Sequence, residues 1–249
     1  MRTAGVDLAA EAANTAIAVL GWSSAGASVH QVLADVPDDV LVDVVRGADK
    51  TGIDCPLGWP DEFVTFLAAY AGGTFTPPGD VSGKDWRRKL VYRRTDEVVR
   101  ARLRMIPLSV AADRIAHPAL RCATVLTRLA ALGVPVDRDG SGVVVEAYPA
   151  GSLNRWGLPY RRYKGPKNAD ARHALIDRLL ERAPWLDLGR FEALCRASDH
   201  ALDAVIASLT ARAAALGLVE PPAPDDAAAA ASEGWIAVPT GDLGALVRA

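Results

Sequence analysis

Carboxylates stand in this chain where apolar stretches end. Asp7 follows Ala4-Gly5-Val6, Asp54 follows Thr51-Gly52-Ile53, and Glu146 follows Val143-Val144-Val145. Asp199 and Asp203 lie on an apolar stretch, 198–216, with helical character. A lone buried carboxylate is unfavourable unless it is paired or binds metal. Carboxylates that converge repel one another, and a divalent cation relieves the repulsion. The pattern predicts a Mg2+ or Mn2+ site at the edge of a sheet. Its expected ligands are Asp7, Asp54, Glu146, Asp199 and Asp203, and its expected catalytic set is Asp7, Asp54, Glu146 and Asp203. Phosphoryl transfer uses such a set: two ions about 3.5–4 Å apart bridge a scissile phosphate, held by carboxylates from different elements. Plainer roles stay open for each acid. Asp7 and Asp54 fit turns, Glu146 fits an arginine partner, and Asp199 fits a helix start favoured by the dipole.

The elements that must position these acids can be read from periodicity. Segments 3–8, 14–22 and 28–34 read as strands joined by short turns, an antiparallel meander. Asp38 or Asp39 then caps a helix carrying Val40, Leu41, Val44 and Val45 on one side. A fourth strand at 51–54 follows this crossover, so it is expected parallel to the first. Asp7 and Asp54 would then share one rim. Helices are expected at 60–70, before Gly72-Gly73, at 118–132, at 168–182 and at 198–216. Segment 75–83 reads as loop, 85–104 as basic and helical in its second half, and 143–147 as a fifth strand. On 118–132, Leu120, Val125, Leu129 and Leu132 should share the buried face. In the last helix, Asp199 and Asp203 flank a stripe of Leu202, Val205, Ile206 and Leu209. Segment 221–231 reads as a linker without periodicity, and 233–239 as a closing strand. The expectation is a mixed α/β sheet with flanking helices in a single domain spanning 1–249. It carries a helical insertion at about 60–115 and a linker plus strand at about 218–249.

With strands and acids in this order, the chain resembles the ribonuclease H-like superfamily. More closely it is similar to a family of predicted nucleases, domain-of-unknown-function family 429. The resemblance rests on Gly5-Val6-Asp7, the run from Gly52 to Pro60, Arg94-Thr95-Asp96, Val145 to Pro149, Asp199 to Ala204, and Glu233 to Ile236. It implies a ribonuclease H-like fold, metal-dependent nuclease activity, and acids of the site at Asp7, Asp54 and Asp203, with Glu146 beside them. Ribonuclease H itself carries a glutamate on its first helix. Asp38, Asp39 and Asp43 occupy that region here, so specificity for hybrid duplexes is not carried over.

Two segments interleave cations with aromatic residues, a mixture suited to phosphate contact and base stacking. They suggest nucleic-acid contacts through Arg87, Arg88, Lys89, Arg93 and Arg94, and through Arg155, Arg161, Arg162 and Lys164. The net charge of −2 restricts any nucleic-acid ligand, DNA or RNA, to such local patches. Arg94 and Asp96 are expected to pair. His200, between two candidate ligands, is placed for proton transfer. His30, His117 and His173 stand isolated, and Trp22, Trp59, Trp185 and Trp235 read as core. Cys55, Cys122 and Cys195 are too scattered for a disulfide framework or a zinc site and read as small buried residues. No apolar stretch approaches the roughly 20 residues that span a bilayer. The first residues run directly into a strand, so a cytoplasmic protein without signal peptide is expected. Two rivals to the nuclease reading share the pattern. An ATP-dependent phosphotransferase of the actin and sugar-kinase type would need a glycine-rich turn after the first strand, and 9–13 has no glycine. A non-catalytic nucleic-acid-binding protein would use the basic segments alone.

Overall fold

Three strands open the chain as an antiparallel meander: β1 (Arg2–Asp7), β2 (Ala16–Ser23) and β3 (Gly26–Leu33). Helix α1 (Asp38–Arg46) crosses over, and β4 (Lys50–Asp54) returns parallel to β1. Strand β5 (Val144–Glu146) adds in parallel outside β4, and β6 (Leu186–Asp187) in parallel outside β3. The sheet runs β5-β4-β1-β2-β3-β6. The computed structural model describes residues 1–79 and 83–247. Among these, no helix is long and apolar enough to cross a membrane.

Strand alternation divides β1 between two cores. Ala4 and Val6 join Ile17, Val19 and Ile53 on one face, under α1 and under Cys122, Val125 and Leu129 of α5 (Ala116–Ala131). On the other face Ala18, Leu20 and Trp22 meet Leu202, Val205 and Ile206 of α9 (Asp199–Ala215) and Leu175, Ile176 and Leu179 of α7 (Ala169–Arg182). Gly5 and Gly52 pair across β1 and β4 on this second face. A Cβ on Gly5 would lie 2.0 Å from the Ala204 carbonyl oxygen, and one on Gly52 2.3 Å from that of Ala207. The two glycines let the backbone of α9 rest directly on the sheet. Each stands two residues before an acid, Asp7 or Asp54, so the same face carries both acids toward the end of α9.

Helix α9 is more deeply buried than its expected stripe implies. All residues from Ala201 to Ala213 are buried, because the sheet covers one side and α6 (Pro149–Arg155) and α8 (Glu192–Ala197) cover the other. A helix that is apolar all round belongs in an interior. Ser198 caps it, accepting a hydrogen bond from the Ala201 amide.

The insertion forms α2 (Asp61–Ala71), α3 (Lys84–Val91) and α4 (Arg94–Leu103). Both halves of 85–104 are helical, not the second alone. The break falls at Tyr92-Arg93, where the Asp96 carboxylate accepts from the Arg93 amide and restarts the helix. Residues 80–82 of the expected loop 75–83 lie outside the described residues. On α5 the buried face is Ala119, Cys122, Val125, Leu126 and Leu129, while Leu120 and Leu132 are exposed. On α1, Val42 is buried and Val40 exposed.

Part of the expected linker is helix α10 (Ala227–Glu233). Its alanine run has high helix propensity, and Arg94 pairs with Asp226 at its start, 2.6 Å away. Glu233 at its end caps two other helices. Its carboxylate accepts from the Asp61 amide of α2 at 2.9 Å and from the Arg94 amide of α4 at 2.6 Å. The closing strand is reduced to single bridges, Glu146 to Ile236 and Val219 to Pro239.

Candidate metal centre

The parallel register of β1 and β4 sets Asp7 directly beside Asp54. The close seat of α9 brings Asp203 over the same rim. One carboxylate oxygen from each of Asp7, Asp54 and Asp203 lies within 4.8 Å of the other two. Asp203 is fully buried and Asp7 almost so. The donor set is oxygen only, which suits a hard divalent cation such as Mg2+ or Mn2+ and disfavours zinc.

Two neighbours hold the Asp203 carboxylate. The buried Tyr163 hydroxyl donates to Oδ1 at 2.7 Å, and Lys164 Nζ lies 2.6 Å from Oδ2. Lys164 Nζ is also 4.0 Å from Asp54 Oδ2. Half of the Lys164 side chain is exposed, so its stem reaches in from solvent. The loop bearing this pair is fastened by Arg172, whose guanidinium donates to the carbonyls of Tyr163, Gly165, Arg196 and Ala197. Beside the cluster, His200 Nδ1 lies 2.5 Å from Asp7 Oδ2.

The electrostatics follow from burial and crowding. Burial pushes the Asp54 carboxyl well above the ordinary range; Lys164 opposes the shift, and the neighbouring acids add to it. Burial likewise pushes Asp203 up to about 6 against the pull of Lys164. Burial lowers the Lys164 pKa, but Asp203, Asp54 and Asp7 outweigh it and leave the ammonium above its usual value. The hydrogen bond that His200 donates to Asp7 raises the pKa of the imidazole.

Glu146 stands apart from the three aspartates. Arg93 grips both its oxygens, with Nη1 at 2.7 Å from Oε2 and Nη2 at 2.7 Å from Oε1. The Leu57 amide donates to it as well. Arg93 also donates to Asp96, so the partner of Asp96 is Arg93 and not Arg94. Arg93 and Glu146 of this buried group line the same cleft as Asp7 and Asp54. Asp199 also stays outside the cluster, 3.8 Å from Arg172.

Of the cations expected to meet nucleic acid, Lys164 reaches the acid rim and Arg93 is buried against Glu146. Arg88 pairs with Glu97, Arg94 with Asp226, and Arg155 Nε donates to the Pro239 carbonyl. Arg87, Lys89, Arg161 and Arg162 are exposed. Arg88, Lys89 and Arg94 line a groove of about 1010 Å³ shared with Asp61, Glu62, Asp85, Glu97, Asp225, Asp226 and Glu233. Acids outnumber bases there, which disfavours a phosphate backbone.

Sequence reasoning overlooked Tyr163 as a partner of Asp203, and Arg114. Arg114 lines a cleft of about 280 Å³ that opens on Asp7, Asp54 and Lys164. The adjacency of Tyr163 to Lys164 and the positive φ of Arg162 mark a turn aimed inward, but only the fold shows at what.

Fold and site define an α/β protein with a mixed sheet and three aspartates gathered at one rim, able to hold a metal ion. The family described as protein of unknown function (DUF429) matches residues 5–228, and the chain belongs to it. No curated protein and no solved structure matches the chain.

Proposed function

We propose that the protein is a metal-dependent phosphodiesterase acting on nucleic acid, built on a ribonuclease H-like core. The observation that carries the proposal is the convergence of Asp7, Asp54 and Asp203 from two adjacent parallel strands and a buried helix. Strand order supports the fold assignment: an antiparallel β1–β3 meander followed by β4 and β5 parallel to β1 is the arrangement the resemblance implies.

A divalent cation held by the three aspartates would supply Lewis-acid polarisation of a phosphoryl oxygen and neutralise its charge. The protein's own groups complete the site. Tyr163 and Lys164 fix the Asp203 carboxylate in one orientation. Lys164 adds positive charge at the rim where a phosphate would approach. The half-exposed ring of His200 is anchored at Nδ1 by Asp7, which leaves Nε2 to exchange a proton with substrate or water. Glu146 acts through the frame: its pair with Arg93 holds the β4–α2 turn and α4 against the site.

The phosphotransferase reading finds less support. The β1–β2 connection closes as a short turn of helix at Ala12–Asn14, without the glycine-rich cradle that a nucleotide triphosphate needs. The test is cleavage of labelled single- and double-stranded DNA and RNA with Mg2+ or Mn2+. Asp7→Asn should abolish cleavage while the melting transition stays cooperative. Undiminished cleavage by that variant refutes the assignment.

A further inference from the structure

The lining of the cleft at the acids mixes apolar residues with cations. Pro107, Leu108, Ile115 and Pro118, from the α4–α5 connection and the start of α5, make an apolar wall. Leu108 is exposed. Tyr148 and Ile236 line the cleft as well. Three cations line the same space: Arg93, Lys164 and Arg114. Arg93 is spent on Glu146 and Asp96, and Lys164 on Asp203. Arg114 alone of the three makes no hydrogen bond or ion pair with any described residue, although it lines the same cleft as Asp7 and Asp54.

A guanidinium held free beside a metal-binding rim suits a phosphate, which it can grip through two parallel bonds. An apolar lining that includes one aromatic ring suits the face of a base. The volume of about 280 Å³ falls at the lower limit of small-molecule sites. It is about the size of one nucleotide unit and too small to enclose a base pair. Enzymes that work on single nucleotides within a strand likewise take them unpaired into a snug pocket.

We infer that the cleft receives one unpaired nucleotide of a single-stranded nucleic acid, with Arg114 holding its phosphate against the aspartate rim. This deepens the phosphodiesterase reading and rests on it. Duplexes enter only where a nucleotide is frayed or extruded.

The experiment measures binding of a short fluorescent oligonucleotide to the full chain by polarisation in Ca2+, with single-stranded DNA, single-stranded RNA and the blunt duplex as arms. Arg114→Ala and Arg114→Lys are compared with wild type, and Mn2+ binding of each is titrated separately. Single strands should bind at least about ten-fold tighter than the duplex, and Arg114→Ala should lose about ten-fold of that affinity, Arg114→Lys less. Mn2+ affinity and melting temperature should stay unchanged, since Arg114 is exposed and unpaired. Tighter binding of either the DNA or the RNA strand supports the inference and identifies the strand type. Equal binding of strand and duplex, or full affinity in Arg114→Ala, overturns it. Failure of wild type to bind Mn2+ removes the phosphodiesterase reading instead, and is seen in the separate titration.

Discussion

Asp203→Asn should stabilise the protein when divalent metal is stripped away. Asp203 is fully buried between Tyr163 and Lys164, with Asp7 and Asp54 close by. Burial raises its carboxyl from 3.8 to about 6. The folded state therefore binds the proton more tightly than the unfolded chain does. Above pH 6 the ionised group costs the fold about 3 kcal/mol, and the cost disappears as pH falls through 6 toward 4. Asparagine imitates the protonated acid: its oxygen still accepts from Tyr163, and the half-exposed Lys164 can turn to solvent. In EDTA at pH 8 the variant should gain up to about 3 kcal/mol, or about 6–12 °C in melting temperature for a chain of this length. The gain should shrink steadily at pH 5 and vanish near pH 4. With Mn2+ at about 1,000 times its dissociation constant the order should reverse, because wild type then gains about 4.1 kcal/mol and the variant nothing. The assay is thermal unfolding across pH, with and without metal. A variant less stable than wild type in EDTA at pH 8 refutes the claim that these acids are held together against their own repulsion.

Other consequences follow from the same geometry. Mn2+ affinity should fall about ten-fold per pH unit below 6 as a proton competes for Asp203, and more steeply where Asp54 takes up a second; a calorimetric titration flat from pH 5 to 7.5 contradicts this. Gly52→Ala places a Cβ 2.3 Å from the Ala207 carbonyl oxygen, so α9 must lift; urea unfolding should show a loss of about 1–3 kcal/mol or more, together with weaker Mn2+ binding. Arg93→Met leaves Glu146 and Asp96 buried without a counter-charge. It should destabilise by about 3–5 kcal/mol, and a loss below about 1 kcal/mol speaks against the buried network.

The rim was legible in the sequence because strand chemistry is local. Asp7 and Asp54 each close a short apolar run, and the crossover after the meander forces their strands parallel, so their adjacency follows. Asp203 was legible as an acid on an apolar helix, though its depth was not. The burial of α9 all round comes from helices α6 and α8, which short, weakly periodic segments concealed. The end of an apolar run fits Glu146 to a metal or to an arginine partner alike, and the arginine is present. Arg93 lies 53 residues away, and no pattern in the chain pairs them. The 221–231 linker was misjudged because alanine carries no amphipathic signal. Its helix is held by Arg94 on Asp226 and by the contacts of Glu233 with the amides of Asp61 and Arg94, all distant in sequence. Arg114 escaped attention because a single arginine in an arginine-rich chain has no distinguishing spacing; its significance lies in what surrounds it.

The most direct test of the central claim is anomalous diffraction at the manganese edge from crystals soaked in Mn2+. The account predicts a peak bridging Asp7, Asp54 and Asp203, with oxygen ligands from all three. A map with no peak at that rim at millimolar Mn2+, or a peak held by other residues, contradicts it.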